Sequence, residues 1–151
     1  MNSIEFAGVD WEEKVVERLR PRLAEDGYDG MMVTELDEIA WLYNLRGEGV
    51  SHNEGLYHTP TFHSLGLVTQ QELILWLQLD KVSPEVREQL VRPDCVSTCV
   101  ELRDISESMK DLTEWLSFHP EISRLLVTNP SNYLSGASYA VYSAIPASVS
   151  R

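Results

Sequence analysis

The chain has 151 residues, 43% hydrophobic and 24% charged, with 24 acidic against 12 basic side chains and a formal net charge of −12. That length suits one domain with a real core. The acidity repels phosphate backbones and anionic lipid, which makes nucleic acid a poor partner, and no apolar run reaches the roughly 18 residues of a membrane span.

The opening residues MNSIEFAGVDWEE carry neither a basic start nor a long apolar core, so they do not read as a secretory signal. Residues 1–9 are taken as an extension and 10–151 as a single domain. Asp10 with Glu13 three later is a capping-box-like helix start. Trp11, Val15, Leu19 and Leu23 follow at i, i+4 steps and make one apolar stripe. Pro21 falls inside that stripe and removes a backbone donor, which predicts a kink or a break. Gly27 is the expected stop. Residues 31–33 read as a short buried strand, and Thr34 with Asp37 as the start of the next helix.

The stretch TELDEIAWLYNLRG, residues 34–47, is apolar nearly all round and stops abruptly in Asn-Leu-Arg-Gly. The following GEGVSHNEGLYHTP is a loop by its glycines, asparagine and proline. Residues 61–69 and the dense run ELILWLQL, residues 72–79, predict a β-hairpin. Ser83-Pro84-Glu85 starts a helix with proline at its first position, ending before Pro93. Residues 96–102 alternate as a strand. Asp104 with Glu107 caps a further helix whose face is Ile105, Met109, Leu112 and Leu116. A strand at 124–128 and a last helix ending before Pro146 complete the chain. Strands mixed with helices predict an α/β layered domain, and the hairpin makes its sheet mixed.

Motifs of chemistry are sparse. No G-x-G-x-x-G, P-loop, G-x-S-x-G or H-E-x-x-H occurs. Cys95 and Cys99 lack further metal ligands and read as small sheet-face residues. Two cysteines are few for a small secreted fold and imply a reducing, cytoplasmic setting. His52, His58 and His63 with Glu54 are close in sequence, but nothing shows that they converge on a metal. Asp37 and Glu38, like Glu12 and Glu13, suit the positive end of a helix better than a catalytic pair. His119 reads as helix-end chemistry. Tyr133, Tyr139 and Tyr142 read as packing residues.

One segment stands apart. TELDEIAWLYNLRG closely resembles a segment of the cytosolic three-domain Xaa-Pro aminopeptidases (aminopeptidase P), roughly T-A-L-D-E-I-A-W-L-F-N-L-R-G, with Glu35 for alanine and Tyr43 for phenylalanine. VDWEEKVVERLRPRLAEDG resembles the helix opening that family's middle domain, and SYAVYSAIP resembles its S-Y-A-V-x-x-x-I-P. The resemblance implies the second of two creatinase/prolidase N-terminal-type domains: a three-layer, ribonuclease-H-like α/β fold with a mixed sheet between helices.

It also limits function. In that family, cleavage of the bond before proline belongs to a later pita-bread metallopeptidase domain, which holds two divalent metals, usually manganese. None of its ligands maps onto this chain, so no catalytic or metal residue is assigned here and the chain alone is expected to hydrolyse nothing. The implied role is architectural: shaping the active-site cleft and packing against the catalytic domain and the first N-terminal-type domain, with homodimerisation left open. Arg46, Asn44, His52 and Asn53 are the cleft or interdomain candidates. Arg46 has two readings, charge-assisted contacts across the cleft or satisfaction of helix-end carbonyls. After the Arg-Gly pair the family pattern x-D-[VI]-x-x-N-P-V is kept at Val50 and Asn53 but replaced at Gly49 and at Glu54-Gly55. Losing that proline loosens the loop. The departures keep two alternatives open: a standalone protein-interaction module derived from a degenerate paralogue, and a small independent enzyme using the histidine loop.

Overall fold

The computed structural model describes residues 8–47, 61–91, 95, 98–128 and 136–151. The loop reading over 48–60, including His52, Asn53 and His58, lies outside them, as does Tyr133.

The first helix, α1 (residues 11–25), starts as predicted at Asp10, whose carboxylate accepts the Glu12 N–H at 3.1 Å. Its middle, Lys14–Leu19, is wound as a π-helix between α-helical Trp11–Glu13 and Arg20–Glu25. The Arg20 N–H reaches back five residues to the Val15 carbonyl, one position before Pro21. The proline therefore produces no break in α1; wider bonding turns up directly before it. Rewinding also changes which side chains face inward. Trp11, Val15 and Leu23 are buried as expected, but so are Lys14 and Arg20.

α1 ends in a Schellman motif. Gly27 has φ +74°, its N–H bonds the Ala24 carbonyl at 3.1 Å, and the Tyr28 N–H bonds the Leu23 carbonyl at 2.8 Å. Strand β1, Gly30–Val33, follows. α2, Leu36–Leu42, begins at Glu35 without a side-chain cap bond. The predicted Thr34–Asp37 capping box is absent because the Thr34 hydroxyl bonds Glu35 Oε2 at 3.0 Å instead.

The hairpin is present as β2, Ser64–Thr69, and β3, Leu73–Leu77, in antiparallel register with Leu67 opposite Ile74. Every residue of both strands is buried, which explains the unbroken apolar runs: each strand has helices over both faces. α3, Pro84–Leu90, is capped by the Ser83 hydroxyl. Strand β4 covers Val100–Asp104, so it starts later than the alternation over 96–102 suggests. Cys95 and Cys99 precede it and are joined in a disulfide. The reading of both as free sheet-face thiols is thereby corrected; the missing information was loop geometry, which spacing does not carry.

A 3₁₀ turn, Ile105–Glu107, leads into α4, Ser108–Phe118, with Asp104 accepting the Ser106 N–H as expected of a cap. β5, Leu125–Val127, and α5, Tyr139–Ala144, complete the described elements.

The five strands lie in the order β4-β3-β2-β1-β5. β1 is antiparallel to β2 and parallel to β5; β3 is antiparallel to β2 and parallel to β4. One face is packed by α4 and α5 through Met32, Leu67, Ile74, Trp76, Leu112 and Leu116. The other is packed by α1, α2 and α3 through Trp11, Val15, Ile39, Leu75, Leu90 and Val100. The fold is thus a mixed sheet between two helical layers, as the sequence implied. No helix among the described residues is long and apolar enough to cross a membrane.

Candidate functional site

Of the residues singled out in the sequence, Asn44 and Arg46 follow the end of α2, whereas His52 and Asn53 lie outside the described residues. This helix ends at Leu42 with Tyr43 as its C-cap, and Asn44 is the first residue beyond it. Asn44 has φ +54°, its N–H bonds the Trp41 carbonyl at 3.3 Å and the Leu45 N–H bonds the Ala40 carbonyl at 2.9 Å. This is a second Schellman motif, with asparagine where glycine is usual. Asparagine tolerates the left-handed region better than most residues, and its side chain here does further work. Oδ1 accepts from Lys14 Nζ at 2.5 Å, and Nδ2 donates to the Val9 carbonyl at 2.9 Å.

Lys14 is the group that sequence reasoning missed. It is 3% exposed; its ammonium also donates to the Trp41 carbonyl at 2.5 Å and lies 4.5 Å from the centre of the Trp41 ring. A cation is thus placed on the electronegative end of α2. Burial and then the Arg18 charge hold its pKa below the ordinary lysine value, with Asp10 acting the other way. The signal in the sequence was Pro21: a shift of bonding before it turns the polar side of the stripe inward.

Tyr43, also at this corner, is fully buried, and its hydroxyl has no hydrogen-bond partner among the described residues. Burial holds its phenol far above the usual range, with Arg20 pulling in the opposite direction.

Asn44 is therefore an inward joint between α1 and α2. Arg46 is exposed, and no hydrogen bond or ion pair holds its guanidinium among the described residues. The helix-end carbonyls of Ala40 and Trp41 are already taken by Leu45, Asn44 and Lys14. Gly47 lies so close to Thr61 that a Cβ would stand 2.6 Å from the Thr61 carbonyl oxygen. Only glycine permits this approach. Thr61 in turn lines an open groove of about 730 Å³ with Thr34, Glu35, Asp37, Ser64 and Met109. The groove sits at the carboxyl end of β1 and the start of β2, and Arg46 is not among the described residues that line it.

The groove's acids are poor candidates for catalysis. Glu35 Oε2 accepts from the Thr34 and Thr128 hydroxyls, both at 3.0 Å. Glu38, which does not line the groove, has its pKa raised by partial burial, then by Glu35 and Asp37, and is nonetheless exposed. Among the described residues no group of three or more His, Cys, Asp or Glu side chains is placed to hold a metal ion. His63 is exposed. His119 behaves as a helix-end residue: Nδ1 is 2.7 Å from the Trp115 carbonyl and the ring stacks on Trp115 at 3.8 Å. Tyr142 packs and bonds the Thr128 carbonyl, whereas Tyr139 is almost fully exposed, contrary to its reading as a packing residue. Its place on the first turn of a short helix leaves its side chain nothing to cover.

Comparison with known proteins agrees with this fold. A family model described as Creatinase/Prolidase N-terminal domain matches residues 1–151. A probable Xaa-Pro aminopeptidase P from Arthroderma gypseum is 42% identical over 87 residues, 58% of this chain and 13% of that protein. An uncharacterized peptidase from Schizosaccharomyces pombe is 39% identical over 90 residues, 60% of this chain and 14% of that protein. The chain thus spans about a seventh of these curated relatives. The crystal structure of an X-prolyl aminopeptidase from Caenorhabditis elegans, described as a cytosolic enzyme with a di-nuclear active site, superposes with a TM-score of 0.78 at 22% identity, over 99% of this chain and 22% of that one. An Xaa-Pro aminopeptidase from Streptococcus thermophilus superposes at 0.54 with 14% identity, over 87% of this chain and 80% of that one.

Proposed function

This chain belongs to the creatinase/prolidase N-terminal domain family, and from that premise we propose that it is a non-catalytic domain of an Xaa-Pro aminopeptidase-like metallopeptidase. Under this reading the longer protein releases an N-terminal residue that precedes proline. The two divalent metals, manganese in the resembled family, belong to its catalytic domain and not to these residues. The part played here is to shape the cleft and to pack against neighbouring domains.

The observation that carries the reading is the construction of the α2 end. Lys14 and Asn44 lock the helix terminus inside the fold, and Gly47 seats the chain against Thr61. Between them Arg46 is left exposed, one residue before Gly47, whose neighbour Thr61 lines the groove, on a molecule with a net charge of −12. An exposed guanidinium on a backbone anchored at Asn44 and Gly47 suits a carboxylate, either of a bound peptide or of an adjoining domain. A cytosolic location is part of the proposal, following the description of the C. elegans enzyme.

The test is an assay of the purified chain with an Xaa-Pro peptide and manganese. No release is expected. Hydrolysis that survives repurification and disappears in His58→Ala would overturn the proposal. In the longest polypeptide that carries the chain, Arg46→Ala is expected to lower kcat/KM or loosen domain packing while leaving the fold of residues 10–151 unchanged.

A further inference from the structure

An Asp-Gly step can rearrange without an enzyme, because glycine has no side chain to shield its amide nitrogen from the neighbouring carboxyl. This chain carries the pair twice within EDGYDG, residues 25–30. The second copy, Asp29–Gly30, is clamped. Asp29 Oδ2 accepts from the Ser123 N–H at 2.8 Å, the Ser123 hydroxyl at 2.9 Å and the Arg124 N–H at 2.8 Å. The Asp29 N–H bonds the Arg124 carbonyl at 2.9 Å. Desolvation pushes the Asp29 pKa up, but those three bonds and the Arg124 charge outweigh it and hold the carboxyl below its usual range, so its protonated form is scarce. Gly30 is buried in β1, paired with Thr69 on one side and Leu125 on the other, and a Cβ on it would stand 2.7 Å from the Val68 carbonyl oxygen. While β1 is paired, that peptide has no space to turn onto the Asp29 carboxyl.

The first copy, Asp26–Gly27, is held by local bonds in the last turn of α1. Both residues are exposed. The Asp26 carboxylate meets Arg22 Nε at 2.8 Å, a solvent-screened i, i+4 pair of small worth. The Gly27 N–H bonds the Ala24 carbonyl at 3.1 Å. A helix end of this kind frays at little cost, whereas a strand paired on both sides opens only at a cost close to that of global unfolding.

We propose that Asp26–Gly27 is a site of spontaneous isoaspartate formation, and that the fold confines this modification to it by sparing Asp29–Gly30. When the last turn of α1 opens, the Gly27 amide nitrogen attacks Cγ of the protonated Asp26 carboxyl. The new N–Cγ bond closes a five-membered succinimide, and the amide proton leaves with the carboxyl hydroxyl as water. Solvent water then breaks the bond from the ring nitrogen to the Asp26 main-chain carbonyl carbon. The main chain now runs through Cβ and Cγ, and the former main-chain carbonyl is a free carboxylate. The water lost in the first step is regained in the second, and nothing is oxidised or reduced. The product carries one extra backbone atom in the turn between α1 and β1. That turn brings Tyr28 beneath the Arg124 guanidinium, 4.8 Å from the ring centre, and Asp29 to its donors on Ser123 and Arg124. Isomerised protein is therefore expected to melt at a lower temperature.

The experiment ages the protein for weeks at neutral pH and body temperature, in buffer and in parallel in concentrated guanidinium chloride. Isoaspartate is located by electron-transfer fragmentation. In buffer, isoaspartate at position 26 is expected to exceed that at position 29 by about tenfold or more, the ratio set by the cost of opening each site. In denaturant both sites are open, and the two rates are expected to be nearly equal. Asp26→Glu keeps the charge beside Arg22 but would need a six-membered ring, so it is expected to abolish the modification at 26 and leave position 29 as it was. Equal accumulation at the two sites in buffer, an excess at 29, or no isoaspartate at 26 would overturn the proposal. An excess at 26 that persists undiminished in denaturant would assign the preference to local sequence and overturn the part given to the fold. Peptide hydrolysis has no part in this readout, so the proposal stands or falls apart from the domain assignment.

Discussion

The two faces of the sheet are sealed by different chemistry. Under α4 and α5 the interior is apolar, and polar atoms are met at the rim: the Trp76 indole donates to Asp111 at 2.7 Å and the Trp115 indole to Glu72 at 3.1 Å. Under α1 and α2 the interior admits Lys14, Arg20, Asn44 and the Tyr43 hydroxyl. Burying a cation has a desolvation cost that apolar packing does not. That cost is taken where the chain leaves α2 toward Arg46. The first face supplies stability; the second spends some of it to fix one helix end.

The contrast is broken most directly from the apolar side. Trp76→Ala is expected to cost about 3–5 kcal/mol, since it empties a fully buried site in a central strand. Urea denaturation reads this as a lower midpoint. Lys14→Met removes the donor to Asn44 Oδ1, leaving that acceptor unmet, and one of the two donors to the Trp41 carbonyl, which keeps the Asn44 N–H, for roughly 1–3 kcal/mol.

The same lysine sharpens the comparison through pH. Its folded pKa is depressed, so the unfolded chain binds more protons in the window between the folded and ordinary lysine values. The charged-state penalty is complete below that window and fades as pH rises through it. The stability of the unsubstituted protein relative to Lys14→Met should therefore increase as pH approaches the ordinary lysine range. A flat difference across that range would remove Lys14 from the account.

Two smaller effects separate conformation from side-chain bonding at the corner. Asn44→Ala is expected to cost about 2 kcal/mol by losing two hydrogen bonds while placing alanine at φ +54°. Asn44→Gly loses the bonds but not the conformation, and should cost less by about 1 kcal/mol. Tyr43→Phe restores the residue type of the resembled motif and removes a buried hydroxyl without a described partner. A gain of up to about 1 kcal/mol is expected, read as a raised Tm. A clear loss would mean that the hydroxyl is satisfied after all.

Much of this was legible beforehand, for local reasons. Gly27, Ser83-Pro84 and Asp104 mark helix ends by chemistry confined to a few residues. The hairpin followed from two apolar runs with a short polar gap. What failed depended on partners remote in sequence. Thr34 bonds Glu35, and Glu35 is also engaged by Thr128, 93 residues away. Lys14 looks like a solvated helix residue until α1 is wound as a π-helix against α2. Asn44 reads as a cleft or interdomain candidate, whereas its side chain bonds Lys14, 30 residues away.

The sequence by itself determined the family, the layered α/β class and the absence of recognisable catalytic motifs, because these rest on periodicity, punctuation and a long specific motif. Tertiary structure alone decided the strand order, the buried lysine, the disulfide and the separate fates of Asn44 and Arg46. The physical reason is distance. Residues within a few positions of one another constrain the backbone directly, whereas burial, pairing and exposure are set by which surfaces meet after the chain has folded.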